Sequence, residues 1–339
     1  MSDSEEPTVL ARREGAAGTL LMNRPRTLNA LDLAMIHGFQ AAIDAWTADP
    51  AVRLVVLEGA GGRAFCAGGD VRRLRDLAIA GDAAGIEAFF AGEYAVNRGI
   101  ARFGKPWVSI IDGVCMGGGI GVSVHGSPLV VTEHAMLAMP ETAIALFPDV
   151  GTSYILPRLP GAIGNWLAMT GARLRGADAV HAGLATHFVP RKQVPALRAA
   201  LLAGDAAVVD RFAVPPPEAS FAPHRVAIDR CFGVDTVLGI LAALAAEGTD
   251  WAAEQTAILR RMSPTSLCVS LELLRRGASA TLDESLELEL ALTRVVVNRH
   301  PDFREGVRSV LVDKDGAPRW SPARLEDVDP AAILAMFQE

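Results

Sequence analysis

The chain has 339 residues, of which 50% are hydrophobic and 21% charged, the make-up of a globular protein with ample material for a core rather than of a disordered or fibrous one. Its net charge of -7 excludes the overall basic surface that nucleic-acid binding requires, and no apolar run approaches the roughly 20 residues of a membrane span. The four cysteines, Cys66, Cys115, Cys231 and Cys268, lack CxxC spacing, so reduced buried thiols are expected rather than a zinc site or a disulfide framework.

The opening Met1-Ser2-Asp3-Ser4-Glu5-Glu6-Pro7 is acidic and polar, unlike a signal or transit peptide, and a cytoplasmic location is the expectation. Residues 8–10 and 18–22 read as paired strands around Gly15 and Gly18. Asp32 is placed to cap a helix carrying Met35, Ile36, Phe39, Ile43 and Trp46 at helical spacing, ending near Asp49-Pro50. Residues 52–57 form the next strand and 59–62 a loop. Strand, strand, helix, strand is an α/β rhythm.

Gly68-Gly69-Asp70 is a glycine-bearing turn whose Asp70 is positioned to cap a helix opened by Val71. Residues 78–102 alternate apolar positions with Gly81, Gly85 and Gly92, predicting helix in pieces. The segment 107–111 is a short apolar run bounded by Pro106 and Gly113, followed by Gly117-Gly118-Gly119-Ile120-Gly121 and an apolar helical pattern. A strand, glycine turn and helix start in that order leave unpaired amides at the positive end of a helix dipole, able to hold a carbonyl oxygen becoming an anion. Glu141 in Met139-Pro140-Glu141-Thr142 and Asp149 in Phe147-Pro148-Asp149-Val150-Gly151 add two carboxyls to an otherwise apolar stretch. Each also has a structural reading, Glu141 as a helix-start carboxylate and Asp149 as a turn residue.

Residues 153–159 and 165–170 predict short helices broken by prolines, residues 176–183 a helix ended by Gly183, and residues 185–189 a strand. Beyond Gln193 the pattern is almost wholly helical, with Pro215-Pro216-Pro217 as the candidate linker, a long helix over 281–297 with Glu284, Glu287 and Glu289 on its polar side, and another over 303–312. An α/β body over 1–214 carrying the site and a mostly helical region over 215–339 is the expected division.

Two familiar motifs fail on inspection. Gly121-Val122-Ser123-Val124-His125 lacks the last glycine of a nucleophile elbow. Gly119-Ile120-Gly121 lacks the third glycine of a dinucleotide fingerprint, Val124 standing in its place. The seven histidines show no metal-ligand spacing.

Phe65-Cys66-Ala67-Gly68-Gly69-Asp70 and Gly113-Val114-Cys115-Met116-Gly117-Gly118-Gly119-Ile120-Gly121 resemble the two signature turns of the crotonase (enoyl-CoA hydratase/isomerase) superfamily. The 139–151 stretch, with Leu174-Arg175-Gly176-Ala177-Asp178 and the tail Val312-Asp313-Lys314-Asp315-Gly316-Ala317-Pro318-Arg319-Trp320, is similar to its 3-hydroxyisobutyryl-CoA hydrolase branch. The resemblance implies a spiral of β-β-α repeats with a helical carboxy-terminal region, and an acyl-CoA substrate with coenzyme A as part of it and no separate cofactor. It implies an oxyanion hole from the Gly69 and Gly118 amides, with Glu141 and Asp149 in the chemistry. Glu93, Ala30, Asp70 and Val71 would make further substrate contacts, and a homo-oligomer would fit the superfamily. Hydratases of the superfamily have two glutamates, and the first falls where this chain has Gly121. The expected reaction is therefore hydrolysis of a short 3-hydroxyacyl-CoA thioester; the alternatives are a hydratase or isomerase using Glu141 alone and a catalytically silent acyl-CoA-binding protein.

Overall fold

The computed structural model describes residues 7–338. The strands in chain order are β1 (Val9–Glu14), β2 (Ala17–Met22), β3 (Leu54–Gly59), β4 (Ala64–Cys66), β5 (Trp107–Ile111), β6 (Val114–Met116), β7 (Leu129–Val131), β8 (Met136–Ala138), β9 (Leu174–Arg175) and β10 (His187–Phe188). They form a six-stranded sheet in the order β1-β2-β3-β5-β7-β10 and a four-stranded sheet in the order β4-β6-β8-β9. β1 and β2 are antiparallel, and β2, β3, β5, β7 and β10 run parallel. Successive strand pairs β3-β4, β5-β6 and β7-β8 thus each give one strand to the large sheet and one to the small, and helical segments follow each pair. This is the β-β-α spiral that the motifs implied.

Two compact units make up the chain. Met1–Gly69, Ala95–Leu137 and Leu174–Ala219 form the first, and Asp70–Tyr94, Ala138–Arg173 and Ser220–Glu339 the second.

In the first unit, alternation along the parallel strands sends Leu54, Val56, Val108, Ile110 and Val130 to one face, where they pack with Leu197, Leu201, Val208 and Val209. Full burial stabilises each such side chain by about 1.5–3 kcal/mol. Asp32 caps the Leu33–Thr47 helix as expected, accepting from the Met35 N–H at 2.8 Å. The expected strand over 185–189 is reduced to β10, and β6 is a strand that the reading of 105–121 did not separate from the glycine turn.

The second unit is helical. Asp70 caps the Val71–Ala80 helix through the Arg73 N–H. Residues 83–101 then form one 19-residue helix where the glycines predicted breaks; its first part to Tyr94 belongs to this unit and its remainder from Ala95 to the first. Each interior glycine costs about 1 kcal/mol, and buried Phe89, Phe90, Tyr94, Val96 and Ile100 on the same helix offset it through packing. The Pro264–Gly277 helix ends against the 149–153 segment: a Cβ built on Gly277 would lie 2.0 Å from the Ser153 carbonyl oxygen. Gly277→Ala must therefore push backbone against backbone. A loss of about 1–3 kcal/mol, read as a lower Tm in a thermal melt, is expected; an unchanged Tm would contradict this packing.

Candidate functional site

The glycine turns lie in the first unit, and a strained loop shapes them. Leu28 and Asn29 both take left-handed backbone, with φ of +54° and +57°. Buried Asn29 sustains that conformation: its Oδ1 accepts from the Arg24 N–H at 2.9 Å, and its Nδ2 donates to the Ala60 and Ala64 carbonyls at 2.9 and 3.0 Å. The loop then runs beside 66–69. Ala67 N–H donates to the Leu28 carbonyl and Leu31 N–H to the Gly68 carbonyl, and Leu31 pairs with Gly69 in an isolated parallel bridge. The Ala30 carbonyl between them accepts from the Arg24 side chain.

Gly68, with φ of +101°, passes so close to β6 that a Cβ on it would sit 3.2 Å from the Met116 carbonyl oxygen and 3.8 Å from the Gly118 nitrogen. Only glycine fits that approach without strain. Gly118 opens the Gly118–Val124 helix after Gly117, whose φ is +46°, so its amide has no intrahelical acceptor. The backbone at Gly68, the residue before Gly69, thus approaches Gly118 closely, and Gly121 lies buried within the Gly118–Val124 helix.

Asp70 and Val71 belong to the second unit. The Asp70 carboxylate is engaged as a helix cap and Val71 is the first helical residue.

The second unit also holds a cluster of buried acids. Glu93 is 2% exposed, Glu141 5%, Asp149 4% and Glu289 0%. Pro140 and the tight Glu141–Ile144 turn set Glu141, whose Oε2 is buried without a hydrogen-bond partner, as is Glu93 Oε1. Asp149 Oδ2 accepts from the Tyr94 hydroxyl at 2.8 Å. Glu289 Oε2 accepts from the Gly151 N–H at 2.8 Å, and its Oε1 from the Ser153 N–H at 3.2 Å and the Ser153 hydroxyl.

Burial disfavours the charged form of each acid. It pushes the Asp149 carboxyl up to about 7, against the Tyr94 hydrogen bond that favours ionisation. Burial, then the Asp149 charge, pushes Glu289 up to about 8, against the Ser153 and Gly151 donors. Glu141 is held well above the carboxylate range by burial, then Asp149, with Glu93 adding to it; Glu93 is raised by burial, then Asp149 and Glu289. At neutral pH this cluster keeps protons that exposed carboxyls have lost, so it can both take and give one.

The folded chain thus binds more protons than the unfolded chain from about pH 4, where free carboxyls titrate, up to the raised values. The contribution of these four acids to stability is fully present below that window and is lost as pH rises through it. Tm is expected to decline between about pH 5 and pH 8, and Glu93→Gln to flatten the decline. A wild-type Tm that is level or rising over that range would contradict the cluster. Glu305, which its hydrogen bonds with Arg308 hold at about 2, acts below this window.

Sequence reasoning missed Glu289 and Tyr94. Glu289 was expected on the polar side of its helix, but it is buried with Ser285, Leu286, Leu292, Thr293 and Val296. The signal was present: Glu289 falls three residues after Leu286 and three before Leu292, on the apolar stripe. Tyr94 follows Glu93 directly, and nothing in the pattern singled it out.

The family model described as enoyl-CoA hydratase/isomerase matches residues 17–337. Rat mitochondrial 3-hydroxyisobutyryl-CoA hydrolase is 43% identical across 99% of this chain and 90% of its own length. The human protein of that name is 43% identical across 94% of this chain and 86% of its own. Among solved structures, a carnitinyl-CoA dehydratase from Mycobacterium thermoresistibile superposes with a TM-score of 0.93 at 40% identity, covering 98% of this chain and 96% of that one. An enoyl-CoA hydratase from Rhodobacter sphaeroides 2.4.1 gives 0.91 at 42% identity, with 97% of each chain covered. The names of the first pair place those proteins in mitochondria. The expectation of a cytoplasmic location here rested on the opening sequence, and residues 1–6 lie outside the described residues; among those described, no helix is long and apolar enough to cross a membrane. By its motifs, its two-sheet spiral and these likenesses, the chain belongs to the enoyl-CoA hydratase/isomerase family and has the crotonase fold.

Proposed function

We propose that this chain hydrolyses a short 3-hydroxyacyl-CoA thioester, 3-hydroxyisobutyryl-CoA being the substrate that its relatives' names favour, in a valine-degradation role. The observation that carries the reading is the pairing of two buried acids, Glu141 with an unpartnered oxygen and Asp149 on the Tyr94 hydroxyl, in a chain whose residue 121 is glycine. Adding water across a double bond needs groups to handle both its oxygen and its proton, and Gly121 supplies no side chain for the second.

In this reading the thioester carbonyl accepts from the Gly69 and Gly118 amides, and each donor stabilises the tetrahedral oxyanion by about 3–4 kcal/mol. Glu141 takes the proton of an attacking water, or its carboxylate attacks the carbonyl to give a mixed anhydride that water then opens. Either route breaks the carbon–sulfur bond and releases the CoA thiolate, which takes up a proton. Asp149 holds the 3-hydroxyl or positions Glu141, and donates toward the departing sulfur. Glu93 contacts the acyl portion, and the backbone at Ala30, Asp70 and Val71 meets CoA. Coenzyme A is part of the substrate and no further cofactor enters. Assembly as a homo-oligomer, common in the superfamily, belongs to the same reading.

Purified protein incubated with 3-hydroxyisobutyryl-CoA should give the free acid and CoA by mass spectrometry. Conversion to the unsaturated ester with no free CoA would overturn the reading. That outcome would support the second one, an enoyl-CoA hydratase using Glu141 alone, which the name of the Rhodobacter sphaeroides structure favours.

A further inference from the structure

Directly after Asp149 the backbone takes an uncommon course. Val150 has φ of +54° and Gly151 +77°. A left-handed glycine is ordinary, but a β-branched residue there is an outlier, and Val150 is also buried. Such a conformation persists only where its surroundings impose it, and it clusters at functional sites. The near side is tied locally, since the Asp149 carbonyl accepts from the Thr152 N–H at 2.9 Å and from the Thr152 hydroxyl at 2.7 Å. The far side is tied by Glu289, from a helix more than a hundred residues away in sequence. Its two oxygens take the Gly151 amide, the Ser153 amide and the Ser153 hydroxyl.

A carboxyl with no exposure is costly to bury, and among the described residues no Lys or Arg pairs with this one. An apolar side chain would fill the stripe between Leu286 and Leu292 more cheaply. What Glu289 does that a leucine would not is accept from the amides that follow Asp149.

We infer that Glu289 is a positioning residue: it clamps the 149–153 turn in its strained form and thereby aims the Asp149 carboxyl. The consequence for turnover rests on the role of Asp149 proposed above; the clamp itself does not.

The test compares wild type with Glu289→Gln and with Ser153→Ala, which removes one donor and leaves the helix intact. Hydrogen exchange reads the clamp without reference to activity. The amides of 151 and 153 should exchange at least about 10-fold faster in Glu289→Gln, with the Leu33–Thr47 helix unchanged. Unchanged protection would overturn the clamp. In kinetics, Glu289→Gln should lower kcat/KM on 3-hydroxyisobutyryl-CoA by about 10²-fold, the effect of misplacing a group by about 1 Å. It should cost less on isobutyryl-CoA, and add little once Asp149→Asn is present, because both act through one carboxyl. Ser153→Ala should show the same selectivity at smaller size. Equal losses on both esters that multiply with Asp149→Asn would overturn the positioning role. Should Glu289→Gln not fold, Ser153→Ala decides by the same two readouts. Wild type that releases no CoA from any hydroxyacyl ester would overturn the proposed function, and the exchange result would still decide the clamp.

Discussion

Glu141→Gln is expected to lower kcat on 3-hydroxyisobutyryl-CoA by about 10³-fold, within the range a positioned general base contributes, while KM stays within about threefold because an isosteric amide removes transition-state interaction and little ground-state binding. The side chain is 5% exposed and one of its oxygens has no partner, so glutamine fills the same volume without breaking a hydrogen bond made by Oε2. The surviving wild-type activity should carry its own signature. Burial and the neighbouring Asp149 hold Glu141 above the ordinary carboxylate range, so its basic form grows as pH rises. kcat should therefore climb with pH well past the point where exposed carboxyls have ionised. Stopped kinetics on both proteins across that range check this, and turnover of Glu141→Gln equal to wild type would remove Glu141 from the chemistry.

Asp149→Asn is the second large effect. Asparagine can still accept from the Tyr94 hydroxyl through its carbonyl oxygen, so the 2.8 Å contact survives while the ionisable group is lost. Turnover of the 3-hydroxylated ester should fall by about 10²-fold, the scale of losing one well-placed polar contact in a desolvated site, and the plain isobutyryl ester should lose less. Folding should not suffer, because a neutral side chain replaces a carboxyl whose ionised form burial disfavours. Above neutral pH the variant should be at least as stable as wild type in a thermal melt. Equal kinetic losses on both esters would remove the hydroxyl-binding role.

Local signals carried much of the fold. Asp32 and Asp70 stand before helical runs, and both cap them; the bounded run 107–111 is a buried strand. Where the readings departed from the structure, long-range packing decided. Residues 83–101 stay helical despite their glycines because the face bearing Phe89, Phe90 and Tyr94 is buried. Glu141 and Asp149, both buried, were legible as candidates because carboxyls in an apolar, proline-marked stretch stand out. Glu289 sat among Glu284 and Glu287 and was read with them, although its place on the stripe of Leu286 and Leu292 set it apart. What it binds lies 138 residues away at Gly151, a pairing that no local pattern encodes. The strain at Val150 was invisible for a similar reason, since valine there contradicts its own backbone preference.

The hydrolase and hydratase readings divide on a single pair of reactions run side by side. One takes 3-hydroxyisobutyryl-CoA with a thiol reagent, and the other crotonyl-CoA followed by its enoyl absorbance. Free thiol from the hydroxyacyl ester, with the enoyl absorbance unchanged, is the result that Glu141 and Asp149 acting without a partner at residue 121 predict. Loss of the enoyl absorbance with no thiol released would contradict it, and would show that one buried glutamate suffices for hydration in this chain.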